Sequence, residues 1–140
     1  MTSSPESING AAHLISVLLV EDNADFAEGL RDILQLFACR VNIAVDGPTA
    51  LQAVSATRFD LVFCDISLPG AMNGFDIART IRQLPDLQNL LIVCLSGYAG
   101  ADDRLRAVEA GFDDLLRKPP ELDDIKAILE KARRHRFLAR

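Results

Sequence analysis

Four short runs in this chain are apolar at every position, and each gives way to chemically active polar residues. Val17-Leu18-Leu19-Val20 stops at Glu21-Asp22, and Leu61-Val62-Phe63-Cys64 stops at Asp65. Leu90-Leu91-Ile92-Val93-Cys94-Leu95 stops at Ser96, and the shorter Leu115-Leu116 leads to Lys118-Pro119. A strand with one wet face alternates apolar and polar residues, whereas a strand covered on both faces does not. The runs therefore predict a parallel sheet with helices on both sides. The segments between them agree. Phe26, Ala27, Leu30, Ile33, Leu34 and Phe37 recur at three- and four-residue spacing, the stripe of an amphipathic helix. Val41-Asn42-Ile43-Ala44-Val45 alternates enough for a strand, and Asp46-Gly47-Pro48 turns the chain into a second helix. Ile77, Ala78, Ile81 and Leu84 mark a third helix that ends before Pro85. A fourth is expected over 101–110, stopped by Gly111, and a fifth carries Leu122, Ile125, Ile128 and Leu129. Five βα units in one domain imply an α/β fold with a doubly wound sheet.

The length of 140 residues suits one domain, and 49% hydrophobic residues can fill a real core. The expected limits are a flexible leader over 1–15, the domain over 16–134 and a basic C-terminal tail over 135–140. A formal net charge of −5 disfavours nucleic acid as the main partner, because phosphate backbones reward basic faces. The cations Lys131, Arg133, Arg134, Arg136 and Arg140 gather at the C-terminus, where they suit a solvated helix end. The three cysteines are odd in number and lack zinc-ligand spacing, and Cys64 and Cys94 sit inside apolar runs. That usage suits a reducing, cytoplasmic compartment. No stretch has the length and apolarity of a membrane span or a secretory signal, so no membrane partner is expected.

In an open parallel sheet the functional crevice lies outside the carboxyl ends of the strands. Glu21, Asp22, Asp65, Ser96 and Lys118 should therefore meet on one rim. Taken singly, each has a plain structural role. Asp22 or Asn23 could cap a helix, and Lys118 could be a surface lysine before a turn. Together they make a chemical set. Converging carboxylates repel one another, and a hard divalent cation held by oxygen ligands relieves that repulsion. Lys118 adds a point charge for an anion. Ser96 adds a hydroxyl, and Gly97 lets backbone approach a ligand closely.

The order and spacing of these blocks resemble the receiver domain of two-component response regulators, from about Ser16 to Arg134. The resemblance rests on Leu18-Leu19-Val20-Glu21-Asp22-Asn23, on Asp65 with Leu68-Pro69-Gly70 and Asn73-Gly74, on Ser96-Gly97 and on Lys118-Pro119. It implies a flavodoxin-like, five-stranded parallel sheet in the order 2-1-3-4-5. Asp65 would be the phosphoacceptor, attacking a phosphohistidine on a sensor histidine kinase or histidine phosphotransfer protein. Asp22, Asp65 and the backbone carbonyl of Ser67 would hold Mg²⁺ or Mn²⁺, with Glu21 acting through a metal-bound water. Ser96 would donate to a phosphoryl oxygen, and Lys118 would pair with the phosphate after a cis Lys118–Pro119 bond. Such a protein catalyses only its own phosphorylation and dephosphorylation. It signals through the face made by the fourth helix, fifth strand and fifth helix.

Three departures from the family pattern stand out. Glu21 replaces the usual Asp, Ala71 lengthens the loop after Asp65 by one residue, and Leu115 replaces the usual Tyr or Phe. Tyr98 is an aromatic that could substitute for the last, although its plainer reading is an exposed loop residue. Three other functions share these residues or this topology. An aspartate-nucleophile phosphatase of the haloacid dehalogenase type needs a second Asp where Ser67 stands, and carries its nucleophile on an early strand. A pseudo-receiver that binds partners without phosphorylation would have no need of the intact acids, hydroxyl and lysine. A flavin-binding relative would place a Ser/Thr/Gly-rich loop where Glu21-Asp22-Asn23 stands. The few residues after Arg134 suggest a stand-alone receiver or the receiver of a hybrid histidine kinase.

Overall fold

The strand pleat sends successive residues of the sheet to opposite faces. The computed structural model describes residues 14–97 and 100–138. In chain order the elements are β1 (Ile15–Val20), α1 (Ala24–Leu36), β2 (Cys39–Ala44), α2 (Gly47–Ala56) and β3 (Leu61–Asp65). They continue with α3 (Gly74–Gln83), β4 (Leu91–Ser96), α4 (Ala101–Ala110), β5 (Asp114–Arg117) and α5 (Leu122–Leu138). All strand pairs are parallel, in the order β2-β1-β3-β4-β5. This is the expected flavodoxin-like arrangement.

The apolar runs supply two cores from one sheet. Leu18, Val20, Val62, Cys64, Ile92 and Cys94 face α2, α3 and α4, in one cluster with Ala50, Ile77 and Ala107. Val17, Leu19, Leu61, Phe63, Val93 and Leu95 face α1 and α5, in a second cluster with Leu34, Ile125 and Leu129. Both faces are dry, so β3 and β4 are buried at every position. Edge strand β2 instead alternates, because only its ends reach the core fully. Helix ends follow from local chemistry. Asn23, Asp46 and Asn73 accept backbone N–H bonds as N-caps, and Gly111 closes α4 at φ 111°, a left-handed conformation that favours glycine.

Three boundaries differ from the sequence reading. β2 runs over Cys39–Ala44, not 41–45, because Cys39 is buried against the core while Val45 stays 52% exposed. β1 opens at Ile15, inside the expected leader, with Ile15 N donating to Ala38 O at 3.0 Å. The rest of the leader, residues 1–13, lies outside the described residues. At the other end α5 continues past 134 to Leu138, so 135–138 are helix and not a separate tail. Arg136 anchors that last turn: its Nη1 donates to Leu14 O at 2.6 Å and lies 3.6 Å from Asp60 Oδ2. The His135 ring meets Asn89 O beside it. Among the described residues no helix is long and apolar enough to cross a membrane.

Candidate functional site

Parallel register brings the polar residues after the runs to one rim. β1 pairs with β3 through Val20 and Cys64, so Glu21 and Asp65 each stand one step further along neighbouring strands. Asp65 pairs with Leu95, and Ser96 pairs with Arg117, which carries Ser96 and Lys118 to the same edge. Lys118 N donates to Ser96 O at 2.8 Å, fixing the strand end from which the lysine leaves. The Lys118–Pro119 peptide is cis.

Lys118 ties the acids together. Its ammonium donates to Glu21 Oε1 at 2.6 Å and to Asp65 Oδ2 at 3.3 Å. Glu21 is only 1% exposed, and its second oxygen accepts from Asn23 N at 3.0 Å. A buried carboxylate is tolerated when it is paired and hydrogen-bonded in this way. Burial alone would lower the pKa of the Lys118 ammonium. The hydrogen bond that it donates to Glu21 and the charges of Asp65 and Glu21 outweigh that cost and hold it above its ordinary value. The lysine is therefore a permanent cation at neutral pH.

Asp65 is nearly buried, and its backbone is gripped from behind. A Cβ placed on Gly74 would lie 2.3 Å from Asp65 O, so only glycine lets α3 start this close. Gly74 N donates to Ile66 O at 2.8 Å, and the Asn73–Asp76 capping box locks the first turn of α3. The Asp65 side chain accepts from Ser67 N through Oδ1 at 3.3 Å. Glu21, Asp22 and Asp65 each offer a carboxylate oxygen, and these oxygens lie within 4.8 Å of one another. Such a group of hard oxygen donors, with Asp22 open to solvent, fits a divalent cation of the Mg²⁺ kind. Ser96 sits beside them, 6% exposed at the end of β4.

Glu21, Asp22, Asp65, Ser96 and Lys118 thus share the rim, and Ser67 is tied to Asp65 through its backbone N–H. Tyr98 lies outside the described residues. Leu115 is buried at 6% exposure beneath α4, in one cluster with Phe75, Phe112, Ala107 and Ala110. Two contributors went unnoticed in the sequence. Asn23 does more than cap α1, since its N–H also holds Glu21. Phe26, read as a helix core residue, places its ring 4.6 Å from the Lys118 ammonium. No local pattern marks this role, because the contact joins the first helix to the end of the last strand.

Comparison with known proteins agrees with this geometry. The model of the response regulator receiver domain matches residues 17–130. The transcriptional regulatory protein PrrA of Mycobacterium leprae is 35% identical over 121 residues, covering 86% of this chain and 50% of that protein. The chain thus spans half the length of that regulator, and only 7% of a similar hybrid signal transduction histidine kinase of Dictyostelium discoideum. A CheY-like response regulator receiver domain protein from Methanospirillum hungatei superposes with a TM-score of 0.79 at 25% identity, covering 88% of this chain and 97% of that one. The receiver domain of sensor histidine kinase PA1611 from Pseudomonas aeruginosa, solved with magnesium in its active-site cleft, superposes equally well. Its TM-score is 0.79 at 28% identity, over 86% of this chain and 98% of that one.

Proposed function

The chain belongs to the response regulator receiver domain family, the phosphoacceptor modules of two-component signalling, and on that premise we propose that Asp65 takes up the phosphoryl group. One observation carries this assignment: of the rim's carboxylates, Asp65 is held by Lys118, backed by Gly74 and next to Ser96. An oxygen of Asp65 attacks the phosphorus of a phosphohistidine, the P–N bond breaks, and the imidazole leaves with the electron pair. The product is an acyl phosphate on Asp65. Transfer of this kind asks the protein for in-line positioning and for neutralisation of charge on the phosphoryl oxygens, and little else.

The residues present supply both. Lys118 brings a fixed positive charge to the acceptor, and Ser96 brings a hydroxyl for a phosphoryl oxygen. Asp22, Asp65 and the backbone carbonyl of Ser67 are the residues that would hold Mg²⁺ or Mn²⁺, with Glu21 behind them. The ion, when bound, neutralises charge on the transferring group. The donor is a sensor histidine kinase or a histidine phosphotransfer protein. The output face is that of α4, β5 and α5, where Leu105 and Val108 are 63% and 69% exposed. Beyond its own phosphorylation and dephosphorylation the domain is not an enzyme, and its acidic charge does not suit nucleic acid. The buried cysteines suit the cytoplasm.

The test is incubation with acetyl phosphate, with and without Mg²⁺, for wild type and Asp65→Asn, read by intact mass. One added phosphoryl group that requires both Mg²⁺ and Asp65 is expected. Absence of any adduct would mean a pseudo-receiver, and phosphate release far beyond one equivalent would mean a phosphatase.

A further inference from the structure

Among the described residues, the Lys118 ammonium meets two carboxylates and one uncharged ring. Glu21 Oε1 lies at 2.6 Å, Asp65 Oδ2 at 3.3 Å and the centroid of the Phe26 ring at 4.6 Å. The β1–α1 turn builds two of these from one short segment. Glu21 Oε2 accepts from Asn23 N, and Asn23 Oδ1 accepts from Phe26 N, both at 3.0 Å. The turn that buries Glu21 therefore also sets the first helical turn and aims the ring. Phe26 is half-buried, so one side of it rests on the core of α1 and α5 while the ring remains in reach of the rim.

We propose that Phe26 is a positioning residue for Lys118: its ring face completes a cradle with Glu21 and Asp65 that holds the ammonium beside the acceptor. Lysine is a compact cation on a flexible four-carbon stem, so something must restrain it. A third carboxylate would restrain it too strongly, since a phosphoryl group formed on Asp65 needs the same ammonium. An aromatic face attracts the cation within about 6 Å of the centroid without fixing the direction of its N–H bonds. The ammonium can then turn from the Asp65 oxygen toward a phosphoryl oxygen without leaving the ring.

The proposal rests on Asp65 as acceptor only for its kinetic consequence; the cradle itself is tested without it. Phe26→Leu keeps apolar volume and removes the ring, and Phe26→Tyr keeps the ring. In metal-free NMR spectra of wild type, the ε-methylene protons of Lys118 should lie upfield of those of Lys131 because of the ring current. That displacement should vanish in Phe26→Leu and persist in Phe26→Tyr. With saturating acetyl phosphate and Mg²⁺, phosphorylation of Phe26→Leu should be slower by about three- to tenfold, as the loss of one cation–π contact implies. Phe26→Tyr should restore the rate. Unshifted Lys118 resonances in wild type would overturn the proposal, as would a Phe26→Leu protein phosphorylated at the wild-type rate. A purely structural role would lower thermal stability in Phe26→Leu and leave Lys118 unshifted throughout. Failure of wild type to be phosphorylated would instead count against Asp65 as acceptor, and the NMR comparison would still decide the role of Phe26.

Discussion

At the scale of single residues, the rim holds more negative than positive charge. Glu21, Asp22 and Asp65 face one lysine, and Lys118 bonds Glu21 and Asp65. Like charges held together by a fold cost stability that the unfolded chain does not pay. Asp22→Asn should therefore raise the thermal midpoint in metal-free buffer. It should also remove most of the increment that Mg²⁺ gives wild type, because a ligand that binds only the folded state stabilises it by mass action. Paired melting curves with EDTA and with millimolar Mg²⁺ check both halves. A midpoint lowered by Asp22→Asn would show that this acid is held by attraction. Lys118→Met should act in the opposite sense. It leaves Glu21, 1% exposed, with the Asn23 N–H as its one hydrogen-bond donor among the described residues, and stranding a buried charge costs about 3 kcal/mol. Adding Glu21→Gln should recover much of that loss. Urea unfolding of the two single variants and the double variant measures the coupling, and strict additivity would mean that the pair is energetically independent.

At the scale of elements, α3 and α4 are built to opposite standards. α3 starts against Asp65 with a full capping box and Gly74 pressed on its backbone oxygen. Gly74→Ala should cost about 2 kcal/mol, because the new methyl meets backbone that cannot yield, and should slow phosphorylation as Asp65 shifts. Denaturant midpoints and acetyl phosphate kinetics read the two effects, and a neutral variant would show that the loop after Asp65 can relax. α4 has Gly100 as its N-cap with no side-chain bond, and it buries only Ala107 and Ala110. Gly100 lies at φ −89° and ψ 177°, extended backbone open to any residue. Gly100→Ser should stabilise α4 by a few tenths of a kcal/mol and slow hydrogen exchange across it. Unchanged exchange on α4 would mean that its N-terminus is already held by other contacts. The same contrast explains what was legible in the sequence. β1, β3 and β4 could be read because two dry faces leave no room for polar residues. β2 was displaced by two residues at its start because an edge strand carries a weaker pattern, and only packing shows that Cys39 belongs inside. The rim was legible as a set because strand ends in a parallel sheet share an edge. Phe26 over Lys118 was not, since that contact joins the first helix to the last strand end and leaves no local trace. Nor was Arg82, whose guanidinium ties Gly111 O, Leu90 O and Asp113 together across the far end of α3.

For the whole molecule, the buried thiols and the rim lysine set the alkaline limit of stability. Burial pushes Cys39 up to about 11 and Cys94 up to about 12, and raises Cys64 well above 9.0. Lys118 is held above 10.5 by Glu21 and Asp65. Each folded-state value exceeds the unfolded one, so each stabilising contribution is whole below the unfolded value and is lost as pH rises through the folded value. The physical cause differs between the two kinds of group. An unfolded chain releases thiol protons that the folded chain must keep, whereas the lysine loses the charge that pairs it. Urea midpoints should therefore stay level, as far as these groups decide, from neutral pH to about 9 and then fall steadily toward about 12. Replacing all three cysteines with alanine should delay the fall until the lysine itself begins to titrate above its unfolded value of 10.5. Adding Lys118→Met to that background should then flatten much of what remains. A midpoint that stayed level to pH 11 in wild type would contradict the burial of these thiols. So would rapid reaction of Cys64 or Cys94 with a thiol reagent at neutral pH, because both side chains are 0% exposed in the centre of the sheet. Modification should instead keep pace with global unfolding. The strands that carry Asp65 and Ser96 to the rim are the ones that hide these thiols, so the most protected part of the molecule is also the mount of its proposed acceptor.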